Sequence, residues 1–166
     1  MATEALSSTP ITNINATPQV RNNAGVDGGV LRQAVGTLEH AGGDAGSTYR
    51  MVRIPSNAAG IAVVLSADDA GVTGLIDIGI YQTSSNGGAV VDADFFASAY
   101  DVKTAAVAQV EVQHESTVYG LEDVEKPLWQ ALGLSADPHR DYDVVITSTE
   151  ALATASTLTL RVTYTL

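Results

Sequence analysis

The stretch that decides the fold is the last one: Thr157-Leu158-Thr159-Leu160-Arg161-Val162-Thr163-Tyr164-Thr165-Leu166. Leu158, Leu160, Val162, Tyr164 and Leu166 alternate with four threonines and an arginine. A period of two sustained over ten residues is a β-strand with one face buried and one wet. Its threonine content suits a half-buried pleated surface.

The same period recurs upstream. Ile76, Ile78 and Ile80 share a face opposite Asp77, Gly79 and Tyr81. Tyr142, Val144 and Ile146 alternate with Asp143, Val145 and Thr147, where Val145 makes the strand more deeply buried. Ala108, Val110 and Val112 alternate with Gln109, Glu111 and Gln113. Further strands are predicted over residues 30–38, 48–54 and 61–65, the last two joined by a turn at Pro55-Ser56-Asn57. The connections 41–44, 67–71 and 84–88 carry the Gly, Asp and Asn of turn chemistry. Such one-sided strands need a second sheet or closure over their apolar faces. The fold class that follows is all-β, a β-sandwich or jelly roll, with two short helices and an extended N-terminal arm. The helices are predicted over residues 92–100, where Asp92 and Asp94 precede Phe95 and Phe96, and over 125–132, where Pro127 and Gly133 serve as start and stop.

The chain of 166 residues divides into an arm, residues 1–29, and a β-sandwich domain, residues 30–166. The arm holds Pro10, Pro18, Gly25, Gly28 and Gly29 among many Ser, Thr and Asn, with no sustained period, and is expected to be flexible or extended. Its isolated apolar residues suit shallow pockets on a neighbouring subunit. The contact residues expected there are Ile11, Ile14, Val20 and Arg21.

Eight Lys and Arg against 19 Asp and Glu leave a net charge of −11. That balance argues against nucleic acid, whose affinity comes from cations displacing phosphate counterions, and against an anionic membrane surface. The chain opens without a basic segment and apolar stretch, so no export signal is expected. The absence of Cys removes disulfides, thiolate metal sites and a thiol nucleophile.

His40, His114 and His139 stand outside metal-ligand spacing and are expected as unrelated surface residues. No nucleophile elbow supports a Ser-His-Asp triad. The acidic pairs at 68/69, 92/94, 122/123 and 141/143 follow no calcium-loop pattern and suit capping and solvation. Trp129 is expected to anchor the second helix in the core. No cofactor and no enzymatic activity are expected.

Two blocks carry a resemblance. One is Gly74-Leu75-Ile76-Asp77-Ile78-Gly79-Ile80-Tyr81-Gln82-Thr83, followed by residues 86–98 with Asn86-Gly87-Gly88 and Asp92-Ala93-Asp94-Phe95-Phe96. The other is the closing pair, residues 141–147 and 155–166. Over roughly residues 48–166 the chain resembles head decoration, or cement, proteins of tailed bacteriophages. The resemblance implies a non-enzymatic virion protein made in the host bacterial cytoplasm. It would bind the outside of the capsid and stabilise the shell, with the major capsid protein and its own copies, as dimer or trimer, as partners. It supplies no catalytic or ligand residues. A tail or head-fibre protein is the neighbouring expectation, and a calcium-dependent carbohydrate-binding module the one from another class.

Overall fold

The computed structural model describes residues 6–166; the first five residues of the expected arm lie outside the described residues. Eight strands follow a short helix α1 (Thr9–Asn15): β1 (Leu31–His40), β2 (Thr48–Pro55), β3 (Ala59–Ala67), β4 (Leu75–Gln82), β5 (Val90–Asp101), β6 (Val107–Glu111), β7 (Asp141–Ser148) and β8 (Ser156–Thr165). A second helix, α2 (Leu128–Ala131), precedes β7.

The strands form two antiparallel sheets, ordered β1-β8-β3-β6 and β2-β7-β4-β5. Pairing is nested: β4 with β5, β3 with β6, β2 with β7, and β1 with β8. The first half of the chain is therefore one long hairpin arm and the second half the other. Rolling that hairpin brings β8 beside β3 and β7 beside β4. An eight-strand double sheet of this kind is a jelly roll. The turn at Ser56-Asn57 accordingly carries the chain from one sheet to the other.

The predicted alternation is what builds the interior. Inward residues of β8 (Leu158, Leu160, Val162) and β3 (Ile61, Val63, Leu65) meet those of β4 and β7 (Ile76, Ile78, Ile80, Val144, Ile146) in one continuous core. Filling it takes a side chain from every second position on both sheets, which is why the period of two was legible. Val145 is also fully buried although it points away from that core, so β7 is covered on both faces.

The expected helix over 92–100 is corrected: these residues lie within β5. The strand escapes detection because it is irregular. Between the pairs Ile80↔Asp92 and Ile78↔Ala97, β5 uses five residues against two on β4. The surplus passes over Gly79, where a Cβ would stand closer than 3.0 Å to the Asp92 and Ala93 carbonyl oxygens. Phe95, Phe96 and Ala97 are buried in succession, which erases the alternation, and Ala99 takes a left-handed φ of 51°. Its N–H is held by the Asp77 carboxylate at 2.7 Å. The expected helix over 125–132 is present as α2, shortened to Leu128–Ala131. Its core anchor is Leu128, fully buried; Trp129 is only half-buried, correcting the expectation for that residue. A helix this short turns one side chain inward, and Leu128 takes that position.

Candidate functional site: the N-terminal helix and its seat

Within the predicted arm, residues 9–15 are helical although no period announces it. Pro10 sits in the first turn, where its missing N–H costs nothing. Asn22 then ties the segment into a small folded unit. It accepts from Asn13 Nδ2 at 2.9 Å and donates from its own amide to Pro10 O at 3.3 Å and Asp27 Oδ2 at 3.2 Å. The Val20 N–H adds a bond to Asn13 O at 3.1 Å.

The unit is seated at one end of the sandwich. Thr165 at the end of β8 donates to the Gly25 carbonyl, and Val30 and Leu166 exchange backbone bonds at 3.0 and 3.2 Å. Asn13, Asn22 and Val26 face Glu125, ahead of α2, across a shallow cleft.

This arrangement turns the polar side of α1 inward. Asn13 is half-buried against Asn22, while Ile11 and Ile14, three residues apart and therefore on one stripe, are 48% and 44% exposed. Val20 is 49% exposed and Arg21 is exposed. All four predicted contact residues thus lie at the surface of one unit. Two apolar side chains on one face of a helix ordinarily face a core; here the face turned to the rest of the N-terminal unit is the one carrying Asn13. The residue that sequence analysis missed is Asn22, whose role depends on partners 5 to 12 positions away and leaves no local pattern.

The histidines prove unlike one another. His40 is corrected from surface to interior: it is 5% exposed at the end of β1, opposite Ser156 in register. Its Nε2 meets Ser156 Oγ at 2.7 Å, and its Nδ1 accepts the Gly42 N–H at 3.2 Å. In a hydrolytic triad Nδ1 must donate to a carboxylate; here it is an acceptor, so the pair is a strand clasp. Burial lowers the His40 pKa by stripping water from the imidazolium. His114 stacks on Tyr119 with ring centroids 5.5 Å apart and its Nδ1 bonds Tyr119 O at 2.8 Å. Tyr119 packs on Phe95 and Phe96 in turn. Its buried hydroxyl lies near the Ile61 backbone without closing a hydrogen bond, and burial pushes its pKa up to about 12. His139 is exposed, with Nδ1 3.3 Å from Asp137.

The acidic pairs work inside the fold. Asp68 and Asp69 accept the N–H groups of Thr157 and Gly71 at 3.3 and 2.7 Å. Asp123 holds the Gly120 N–H and Lys126. Asp143 joins Arg50 at 2.8 Å and Arg53 at 2.7 Å. Asp92 lies beside Asp94, and burial first, then that neighbour, raises its pKa. Among the described residues no group of three or more His, Cys, Asp or Glu is placed to hold a metal ion. No helix among them is long and apolar enough to cross a membrane.

Fold and site together define an eight-stranded jelly roll with a short, largely polar helix at one end that leaves Ile11 and Ile14 half exposed. No protein-family model matches the chain, and no curated protein sequence matches it. Among solved structures it is similar to a chain from the cyanophage Pam1 capsid asymmetric unit, at 14% identity and a TM-score of 0.47, covering 83% of this chain and 86% of that one. It is also similar to a chain from the acid-stable capsid of Helicobacter pylori bacteriophage KHP30, at 15% identity and a TM-score of 0.39, covering 82% and 94%. At these identities the likeness is one of chain course alone.

Proposed function

We propose that this chain is a non-enzymatic head decoration protein of a tailed bacteriophage, which binds the outside of the capsid and stabilises the shell. The observation that carries the reading is the orientation of α1: Ile11 and Ile14 are left about half exposed to solvent while Asn13 turns to Asn22 within the N-terminal unit. Exposing that stripe costs the free protein hydrophobic stabilisation, about 25 cal/mol per Å² left in contact with water. A groove on the major capsid protein that covers it recovers this term, with Val20 packing beside it and Arg21 pairing with a carboxylate at the rim.

Three further features support the reading. The sequence resembles phage decoration proteins over residues 48–166. Jelly rolls recur in viral capsid domains, though such a fold also serves lectins and so fixes no function alone. A charge of −11 keeps unbound copies apart and away from packaged DNA. On a symmetric lattice, modest affinity at each site suffices, because many copies act together and each reinforces one local junction.

The test is binding of the purified full chain to particles that lack it. The wild-type chain is expected to co-sediment with them, and the Ile11→Asp/Ile14→Asp variant to lose at least about tenfold in affinity, since two desolvated carboxylates replace two buried side chains. Equal binding by the two would overturn the assignment of the contact.

A further inference from the structure

The outward face of the β1-β8-β3-β6 sheet differs from the rest of this acidic molecule. Register places Val35, Arg161, Val64 and Glu111 side by side in one row across its four strands. The outward positions of β8 are otherwise threonines, one of which, Thr159, bonds Thr37 of β1 at 2.9 Å. Val35, Val64, Gln109 and Arg161 line an open trough of about 310 Å³ on this face. It forms where β6 pulls away from β3, at the register shift after Leu65, and Gln109 adopts a φ of 52°.

Arg161 makes no ion pair among the described residues. Glu111 stands two strands away, about 10 Å at ordinary strand spacing, and the two are not paired within the molecule. Yet their positions flank Val64 symmetrically, one strand to either side. A two-fold axis running along β3 would lay Val64 on Val64 of a second copy. The same rotation would set Arg161 over Glu111 of that copy and Glu111 over its Arg161. An isologous interface makes each contact twice, so one such rotation would pair all four charges.

We propose that this sheet face is a self-association surface, and that its occupant is a second copy of the chain docked face to face about that axis. The low charge of the face is what allows two molecules of −11 to approach. About this axis β3 lies over β3 and β8 over the five-residue β6, an overlap of roughly 300 Å² per copy at ordinary strand spacing and rise, well under the roughly 800 Å² of a standard interface. The dimer is therefore reversible and concentration-dependent. The helix α1, seated beyond the end of β8, need not take part in it.

Sedimentation of the full chain between about 1 and 300 μM tests this directly. The wild-type chain is expected to shift from monomer to dimer over that range. Arg161→Glu and Glu111→Arg should each weaken association at least about tenfold, because every change acts twice across the axis. Arg161→Glu/Glu111→Arg combined should return it to within about threefold of wild type. Val64→Thr, which keeps shape and strand preference, should weaken it without charge. A wild-type chain monomeric throughout, single variants that associate like wild type, or a double variant that does not recover would each overturn the proposal. Near-ultraviolet circular dichroism of every variant separates lost association from lost folding.

Discussion

Gly36 of β1 lies against the Met51 carbonyl of β2: a Cβ there would stand closer than 3.0 Å to that oxygen. Met51 sits at the register shift between Arg50 and Val52, so a bulge in one sheet presses on the neighbouring strand of the other. This contact closes the sandwich along the side where β1 and β2 follow one another. The obstacle is backbone, which cannot rotate aside.

Gly36→Ala should therefore destabilise the protein by about 2–4 kcal/mol, as overpacking against fixed backbone does. Denaturant unfolding checks it. A loss under about 0.5 kcal/mol would show that the two strands can part at little cost.

The same bulge aims two arginines at one acid. Arg50 and Arg53 both reach Asp143, whose side chain is 7% exposed, and Arg50 also donates to the carbonyls of Gln82 and Gly88 at 2.9 and 2.8 Å. Burial alone would raise the Asp143 pKa; the hydrogen bonds and charges of Arg53 and Arg50 outweigh it and hold it below the usual carboxylate value. A depressed carboxylate contributes stability above its unfolded pKa and loses it as pH falls through the folded one. Asp143→Asn should cost on the order of 1–3 kcal/mol at pH 7, discounted for the partly exposed arginines. The gap to wild type should close below about pH 4. A gap unchanged at pH 3 would contradict the ion-pair account.

His40 titrates in the opposite region. Its folded pKa is lowered from 6.5 by burial, so the unfolded chain takes up its proton first. Its contribution is complete above pH 6.5 and declines as pH falls below that value, because the buried site disfavours the imidazolium. His40→Gln should lower stability at pH 7 and flatten its dependence between pH 7 and 5. Parallel curves for the two proteins would remove His40 as the cause.

Asn22 should matter locally. Asn22→Ala removes three side-chain hydrogen bonds from the N-terminal unit but none from the sandwich. Limited proteolysis within residues 9–27 should accelerate severalfold while the denaturation midpoint moves little, since exposed segments open independently of the core. A large drop in global stability would mean that the unit is part of the cooperative core.

How far the sequence could be read depended on whether a residue's environment is local. Seven strands were legible, four of them from a clear period of two, because one buried face is all that the period requires. β5 did not, because its fit over Gly79 spends extra residues that only β4 explains. His40 looked like a loop residue beside Gly42 and Gly43; its burial comes from Ser156, 116 positions away. Trp129 outranked Leu128 on size, yet the inward position of α2 fell to Leu128. α1 hid for the opposite reason. Its apolar residues face solvent, so nothing in the chain's own core marks them. Ile11, Ile14, Val20 and Arg21 were nevertheless legible as candidates, because isolated apolar residues in a polar segment have no interior use.

The central claim is that this chain coats a capsid, and copy number measures it most directly. On the proposed function, purified virions from the source of this chain, quantified by mass spectrometry against the major shell protein, should hold about one copy per one to three shell subunits, as expected of a symmetric coat. A handful of copies per particle, or none, would contradict it.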